Sequence, residues 1–157
     1  MDEEALSKAR AEVIEKFIIL DNLINAIISQ HYLKKVSIGF ILDVLYDEYF
    51  SFGLKRRILG KIIPSFDQNK RNKIDRLNNI RNLFAHCGPK LWEGINGPPG
   101  AHAFKRRIPN PRKPKESLDF DALYNEFIGI EPEIITYLSK VYIDLGGQHA
   151  GGAILFE

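Results

Sequence analysis

Residues 3 to 33 contain no Gly and no Pro, and their apolar side chains recur at helical intervals. Val13, Phe17, Leu20, Ile24, Ile27 and Ile28 follow one another at three- and four-residue steps, the spacing that stacks side chains on one face of an α-helix. Ile18, Ile19 and Leu23 spread the apolar surface well beyond one stripe. A helix apolar over so much of its girth is either central in a bundle or part of a subunit interface. The pattern predicts a long first helix, Glu3 to Leu33, on which the rest of the chain is organised.

The later segments repeat this logic on a smaller scale. Ser37 is a plausible N-cap for a second helix through Ile38, Ile41, Leu42, Leu45 and Tyr49, ending near Phe50. Ser51-Phe52-Gly53 reads as a turn. A basic third helix is expected from Leu54 to Ile63, stopped by Pro64. A fourth is expected from about Arg71 to Cys87, closed by Gly88-Pro89. The stretch from Gly88 to Glu116 is rich in Gly and Pro and too long for an idle connection, so a functional or flexible loop is expected. Ala103 to Ile108 within it is a possible short strand or hairpin arm. Ser117-Leu118-Asp119 offers a cap for a last helix carrying Phe120, Leu123, Phe127, Ile134 and Leu138, which Pro132 either kinks or splits. Together these predict an all-α fold, a four- to five-helix bundle with a long Gly/Pro-rich basic loop before the last helix. One domain, 1–145, is expected, followed by a flexible C-terminal tail, 146–157, whose Gly-rich start has little to pack.

Composition limits the classes of function. A chain of 157 residues, 45% apolar and 27% charged, has a globular balance. Cys87 is the only cysteine, so no intramolecular disulfide forms and a reducing, cytoplasmic home is expected. The start, Met1-Asp2-Glu3-Glu4, is acidic where a signal peptide is basic, and no apolar run approaches the ~20 residues that span a bilayer. Neither secretion nor a membrane location is expected.

The net charge of +2 conceals an asymmetry. From Leu54 to Arg81 there are nine Lys and Arg (positions 55, 56, 57, 61, 70, 71, 73, 76 and 81) against Asp67 and Asp75. Lys105, Arg106, Arg107, Arg112, Lys113 and Lys115 follow in a stretch with no acid. Such stretches form phosphate-binding surfaces, or else solvated faces that balance acidic helices of the same molecule. On the first reading, Lys105, Arg106, Arg107, Arg112, Lys113 and Arg76 are the candidate nucleic-acid contacts.

The fourth helix carries the most unusual pattern. With Leu77 at the centre of its apolar arc, Arg81 falls only about 40° away, among Ile74, Ile80 and Phe84. A guanidinium there must pair with an acid, reach an edge or face an opening. The far side collects Asn78, Asn79, Asn82 and His86, where a merely solvated face would favour Lys and Glu. Asn82 and His86 stand four residues apart and can touch. Arg81 and His86 lie about 140° apart, so they would meet across two copies of the helix more readily than within one.

Arg81-Asn82-Leu83-Phe84-Ala85-His86 resembles the Arg-x(4–6)-His motif of the HEPN superfamily, in which a polar residue, often Asn, commonly follows the Arg. The wider Leu77–His86 segment is similar to the signature helix of the mannitol-repressor-like branch. The likeness is strong over about ten residues, and the order of helices agrees with it over most of the chain. It implies a bundle that dimerises and, in many members, cleaves RNA without a metal or other cofactor. In that chemistry His86 would exchange a proton with a ribose 2′-OH or a leaving oxygen. Arg81 would hold the scissile phosphate, and Asn82 would orient His86 or bond the substrate. Because the 2′-OH is the nucleophile, DNA would be spared. No metal set is expected, since His31, His86, His102 and His149 are scattered.

Some toxin members carry a Tyr two positions after the His, where this chain has Gly88. Members of the mannitol-repressor-like branch include regulators. Three roles follow: an endoribonuclease of toxin or defence type with a neutralising protein partner, a non-catalytic regulator or adaptor binding nucleic acid or protein through its basic surface, or an assembly role for the wide apolar first helix. Other enzyme classes lack support, for there is no phosphate-cradling Gly-rich loop, nucleophile elbow or dinucleotide fingerprint.

Overall fold

The long apolar segment forms α1, an uninterrupted helix from Glu3 to Leu33. In the computed structural model, which describes residues 3–86, 90–92, 105–110, 112–113, 117–150 and 153–154, α1 packs against three other helices. Val13, Leu20, Ile24 and Ile27 are fully buried, each contributing roughly 1.5–3 kcal/mol relative to exposure. Ile18 and Ile19, which widened the apolar girth, are half exposed. The architecture is the predicted all-α bundle.

Ser37 caps α2 (Ile38–Phe40), its hydroxyl accepting from the Phe40 amide at 3.3 Å. The helix widens at once into a π-helical turn, Ile41–Leu45, and stops there instead of running to Phe50. The reason is Tyr46. It closes the wide turn through its amide on the Ile41 carbonyl, and its hydroxyl bonds Asn22 of α1. Asp47 then accepts from the Tyr49 amide at 2.9 Å, turning the chain away.

Helix α3 (Phe52–Ile62) begins two residues before the expected Leu54, because Ser51 caps it by accepting from the Leu54 amide. Helix α4 (Gln68–His86) likewise starts earlier than Arg71. Asp67 accepts from the Lys70 amide at 2.8 Å and binds its ammonium, so the polar connector becomes a helix start. The arc read from the sequence faces inward: Ile74, Leu77, Ile80 and Phe84 are completely buried. Phe84 stacks on Phe120, with ring centroids 4.6 Å apart.

Between the last two helices lies a small antiparallel sheet. Strand β2 (Lys105–Pro109) pairs with β1 (Lys90–Trp92) on one side and β3 (Ser117–Asp119) on the other, with Ile108 opposite Leu118. The strand expected at 103–108 is present over 105–109, with 103 and 104, like most of the expected 88–116 loop, outside the described residues. Asp119 caps α5 (Phe120–Asp144), which runs unbroken through Pro132. Gly146, at φ +89°, and Gly147 close α5, with the Gly147 amide donating to the Tyr142 carbonyl. Beyond them β4 (His149–Ala150) pairs with β5 (Ala153–Ile154). Among the described residues no helix is long and apolar enough to cross a membrane.

Candidate functional site

Helix α4 presents two different clefts, one on each flank of its exposed ridge. The first opens beside Arg81. It has a volume of about 440 Å³ and is lined by Ile14, Phe17, Ile18 and Asp21 of α1, Tyr46, and Arg81 and Ala85 of α4. The Arg81 guanidinium lies 4.5 Å from the centre of the Phe17 ring, a cation–π contact. Its Nη2 donates to Asn78 Oδ1 at 3.2 Å. It has no carboxylate within ion-pair distance among the described residues, and Nε is buried without a partner. Asp21, the nearest acid of the cleft, is already held by Lys55 at 2.9 Å. Burial therefore presses the Arg81 guanidinium below its ordinary pKa, with Asp21 partly opposing the effect. Of the three outcomes open to a guanidinium in an apolar arc, Arg81 takes the opening.

The second cleft lies on the opposite flank of α4 and has a similar volume, about 440 Å³. Asn79, Asn82, Leu83 and His86 form its α4 wall, with Arg76 further along the same helix; Asn110, Arg112 and Leu118 face them. Asn79 and His86 are exposed, and Asn82 is half-buried. None of the three side chains makes a hydrogen bond to another described residue. Arg112 is exposed, and its amide is fixed by Asn110 Oδ1 at 3.0 Å. The cleft thus offers an imidazole for proton transfer, carboxamides that both donate and accept, and a surface cation.

Arg76 also lines this cleft, but its charge is spent. Nε and Nη2 each donate to a carboxylate oxygen of Glu126 on α5, both at 2.6 Å. That bond raises the Arg76 pKa and lowers that of Glu126, as a two-pronged charged pair does. The same fate meets most of the first basic stretch. Lys55 pairs with Asp21, Arg56 with Asp75, Lys70 with Asp67 and Lys73 with Glu133. With Arg76, five of its nine cations are answered by acids of the same molecule. This segment is largely the internally balanced alternative.

The structure therefore brings Asn82, His86, Arg76 and Arg112 to one cleft and leaves Arg81 on the other flank. Lys113 is exposed beside Arg112. Lys105, Arg106 and Arg107 belong to β2 by backbone, and their side chains lie outside the described residues. Among the described residues no group of His, Cys, Asp and Glu could hold a metal ion.

Two contributors escaped the sequence reading. Asn110 stands among prolines and gave no signal. Arg10 of α1 donates to the backbone carbonyls of Phe84 and Ala85, two of the last four of α4, which have no partner within the helix. It fixes the turn that carries His86. A lone Arg in an acidic segment held no hint of a partner more than seventy positions away.

Comparison with protein-family models, with curated proteins and with solved structures gave no match.

Proposed function

We propose that the chain is a metal-independent endoribonuclease whose site is completed by a second copy. The observation that carries this reading is the division of α4: Asn82 and His86 line one open cleft without a hydrogen-bond partner among the described residues, while Arg81 opens into another with no carboxylate of the described residues at ion-pair distance. Each half supplies what the other lacks. His86 would take the 2′-OH proton as that oxygen bonds to phosphorus and the P–O5′ bond breaks, the leaving 5′ oxygen taking a proton from water, and Arg81 of the facing copy would hold the phosphate as charge develops. The resemblance to the HEPN motif supports the pairing of these residue types. The exposed apolar side chains that line the Arg81 cleft, Ile18 and Tyr46, support burial of that flank against another copy. A toxin or defence effector held in check by a protein partner is the setting such an activity fits.

Complementation tests it. The wild type should cut RNA in EDTA, and Arg81→Ala and His86→Ala should each be inactive. Mixing the two variants should restore about a quarter of wild-type activity, because half the dimers are mixed and each mixed dimer keeps one of two composite sites. Intact RNA with the wild type, or no recovery on mixing, counts against the composite site.

One observation favours a second reading, a non-catalytic regulator or adaptor. Among the described residues that line the cleft, His86 is the one imidazole and there is no carboxylate or thiol, so a second acid–base residue is missing. This reading expects salt-sensitive nucleic-acid binding that survives His86→Ala and weakens when Lys105, Arg106 and Arg107 are neutralised.

A further inference from the structure

The cleft beside His86 is lined in a way that specifies its ligand beyond a phosphate. Its hydrogen-bonding groups are mostly neutral: Asn79, Asn82 and Asn110. Leu83 and Leu118 supply apolar wall. Its carboxylate neighbour Glu126 is occupied by Arg76, so among the described lining residues the charge left at the surface is that of Arg112. A ligand suited to this lining has apolar faces, an edge carrying donors and acceptors side by side, and one negative charge. Asn79 and Asn82 each present a donor group next to an acceptor, the complement of a base edge, while Asn110, whose Oδ1 accepts from the Arg112 amide, presents its NH2 as a donor. The volume falls within the ~300–1,000 Å³ of small-ligand sites, and the cleft is open enough for a flat ring to enter from solvent. A base stacked and paired in a duplex cannot offer its edge this way, whereas an unpaired one can.

We propose that this cleft is a nucleobase pocket, in which Asn79 and Asn110 read the edge of one unpaired base while Arg112 holds the adjoining phosphate. The inference deepens the ribonuclease reading and rests on it: the captured base would be next to the phosphodiester bond that breaks when His86 takes the 2′-OH proton. It makes the substrate a single-stranded RNA with a base preference at one position. Asn79 and Asn110 are then specificity-determining residues, distinct from the group that moves the proton. The same chemistry would accept a free nucleoside monophosphate, so both sources enter the test.

Fluorescence anisotropy on the full chain is the direct measurement. The probes are four pentanucleotides, one per base, whose 2′-O-methyl groups block the attacking hydroxyl. The four nucleoside monophosphates compete against them. One base should bind at least about tenfold tighter than the worst, as expected for loss of an amide–base pair. Asn79→Ala and Asn110→Ala should each shrink that preference to about threefold or less, and Arg112→Ala should weaken all four pentamers alike. Asn79 is exposed, so its replacement leaves the fold intact, which circular dichroism checks. A pentamer binding tenfold tighter than its own monophosphate supports an RNA strand as occupant, and equal binding supports the free nucleotide. Equal affinity for all four bases, or a preference untouched by both Asn variants, overturns the pocket. Base-selective binding by a chain that leaves RNA intact in EDTA sinks the nuclease reading alone. Cleavage that depends on His86 but ignores base identity sinks the pocket alone.

Discussion

Arg10 of α1 donates a hydrogen bond from Nη2 to the Ala85 carbonyl at 2.8 Å, fastening the carbonyl end of α4 to the central helix. Nε makes the companion bond to Phe84. Hydrogen bonds from a charged donor contribute more than neutral ones, and a cation here also offsets the negative end of the helix dipole. Arg10→Ala should therefore cost about 1–3 kcal/mol, read as a lower urea midpoint. Amide exchange at Phe84, Ala85 and His86 should accelerate more than at Ile74. Arg10→Lys should recover part of the loss. An unchanged midpoint would show that solvent replaces the clamp at no cost.

Lys55 and Asp21 form the most buried ion pair described, with side chains 5% and 16% exposed. Removing one partner strands the other. Asp21→Ala should destabilise by roughly 3–5 kcal/mol, whereas replacing both by apolar residues of similar volume should cost far less. The comparison of single and double variants in urea is decisive, because a non-additive result is the signature of a coupled pair. A double variant whose loss equals the sum of the two single losses would deny the coupling.

Glu126 is held below the ordinary carboxylate range chiefly by its hydrogen bonds from Arg76. A depressed folded-state value means that the pair stabilises above the unfolded carboxyl's range and loses that contribution as pH falls through the folded value. Both side chains are about two-fifths exposed, so solvent limits the effect to about 1 kcal/mol or less. Wild type should exceed Glu126→Gln in stability near neutrality, and the gap should close under acid. The same variant frees Arg76. RNA binding should strengthen, with a salt dependence steeper by about one phosphate contact. A constant stability gap across pH would refute the pairing.

Gly147 lies against Tyr142 so closely that a Cβ would sit 2.3 Å from the ring, and that ring is buried. Gly147→Ala should destabilise by about 1–3 kcal/mol, the usual cost of overpacking. Gly129 offers the opposite case. It is exposed in the middle of α5, with nothing within 4 Å of an added Cβ. Gly129→Ala should stabilise by about 1 kcal/mol through helix propensity. Thermal midpoints moving in opposite directions confirm both readings, and a shared direction contradicts one of them.

Much of the candidate site was legible because it lies on one helix. The helical repeat alone turned Ile74, Leu77, Ile80 and Phe84 inward, set Asn82 and His86 on the far side, and separated them from Arg81 by about 140°. The structure gives each flank its own cleft. The helix starts at Ser51 and Asp67 were harder to place, since a Ser or Asp reads equally well as connector or cap until its side chain meets an amide.

Local periodicity in the sequence by itself determined the bundle, the inward face of α4 and the isolation of Arg81 from His86. That information is carried by residues a few positions apart on a rigid backbone, so spacing is enough to read it. Only the tertiary structure decided which charges are free. Whether Arg76 faces ligand or Glu126, whether Lys55 is solvated or buried on Asp21, and which residue closes the end of α4 depend on side chains dozens of positions distant. Such pairs leave no period in the chain. They arise when packing the apolar faces brings the polar flanks of different helices within bonding distance.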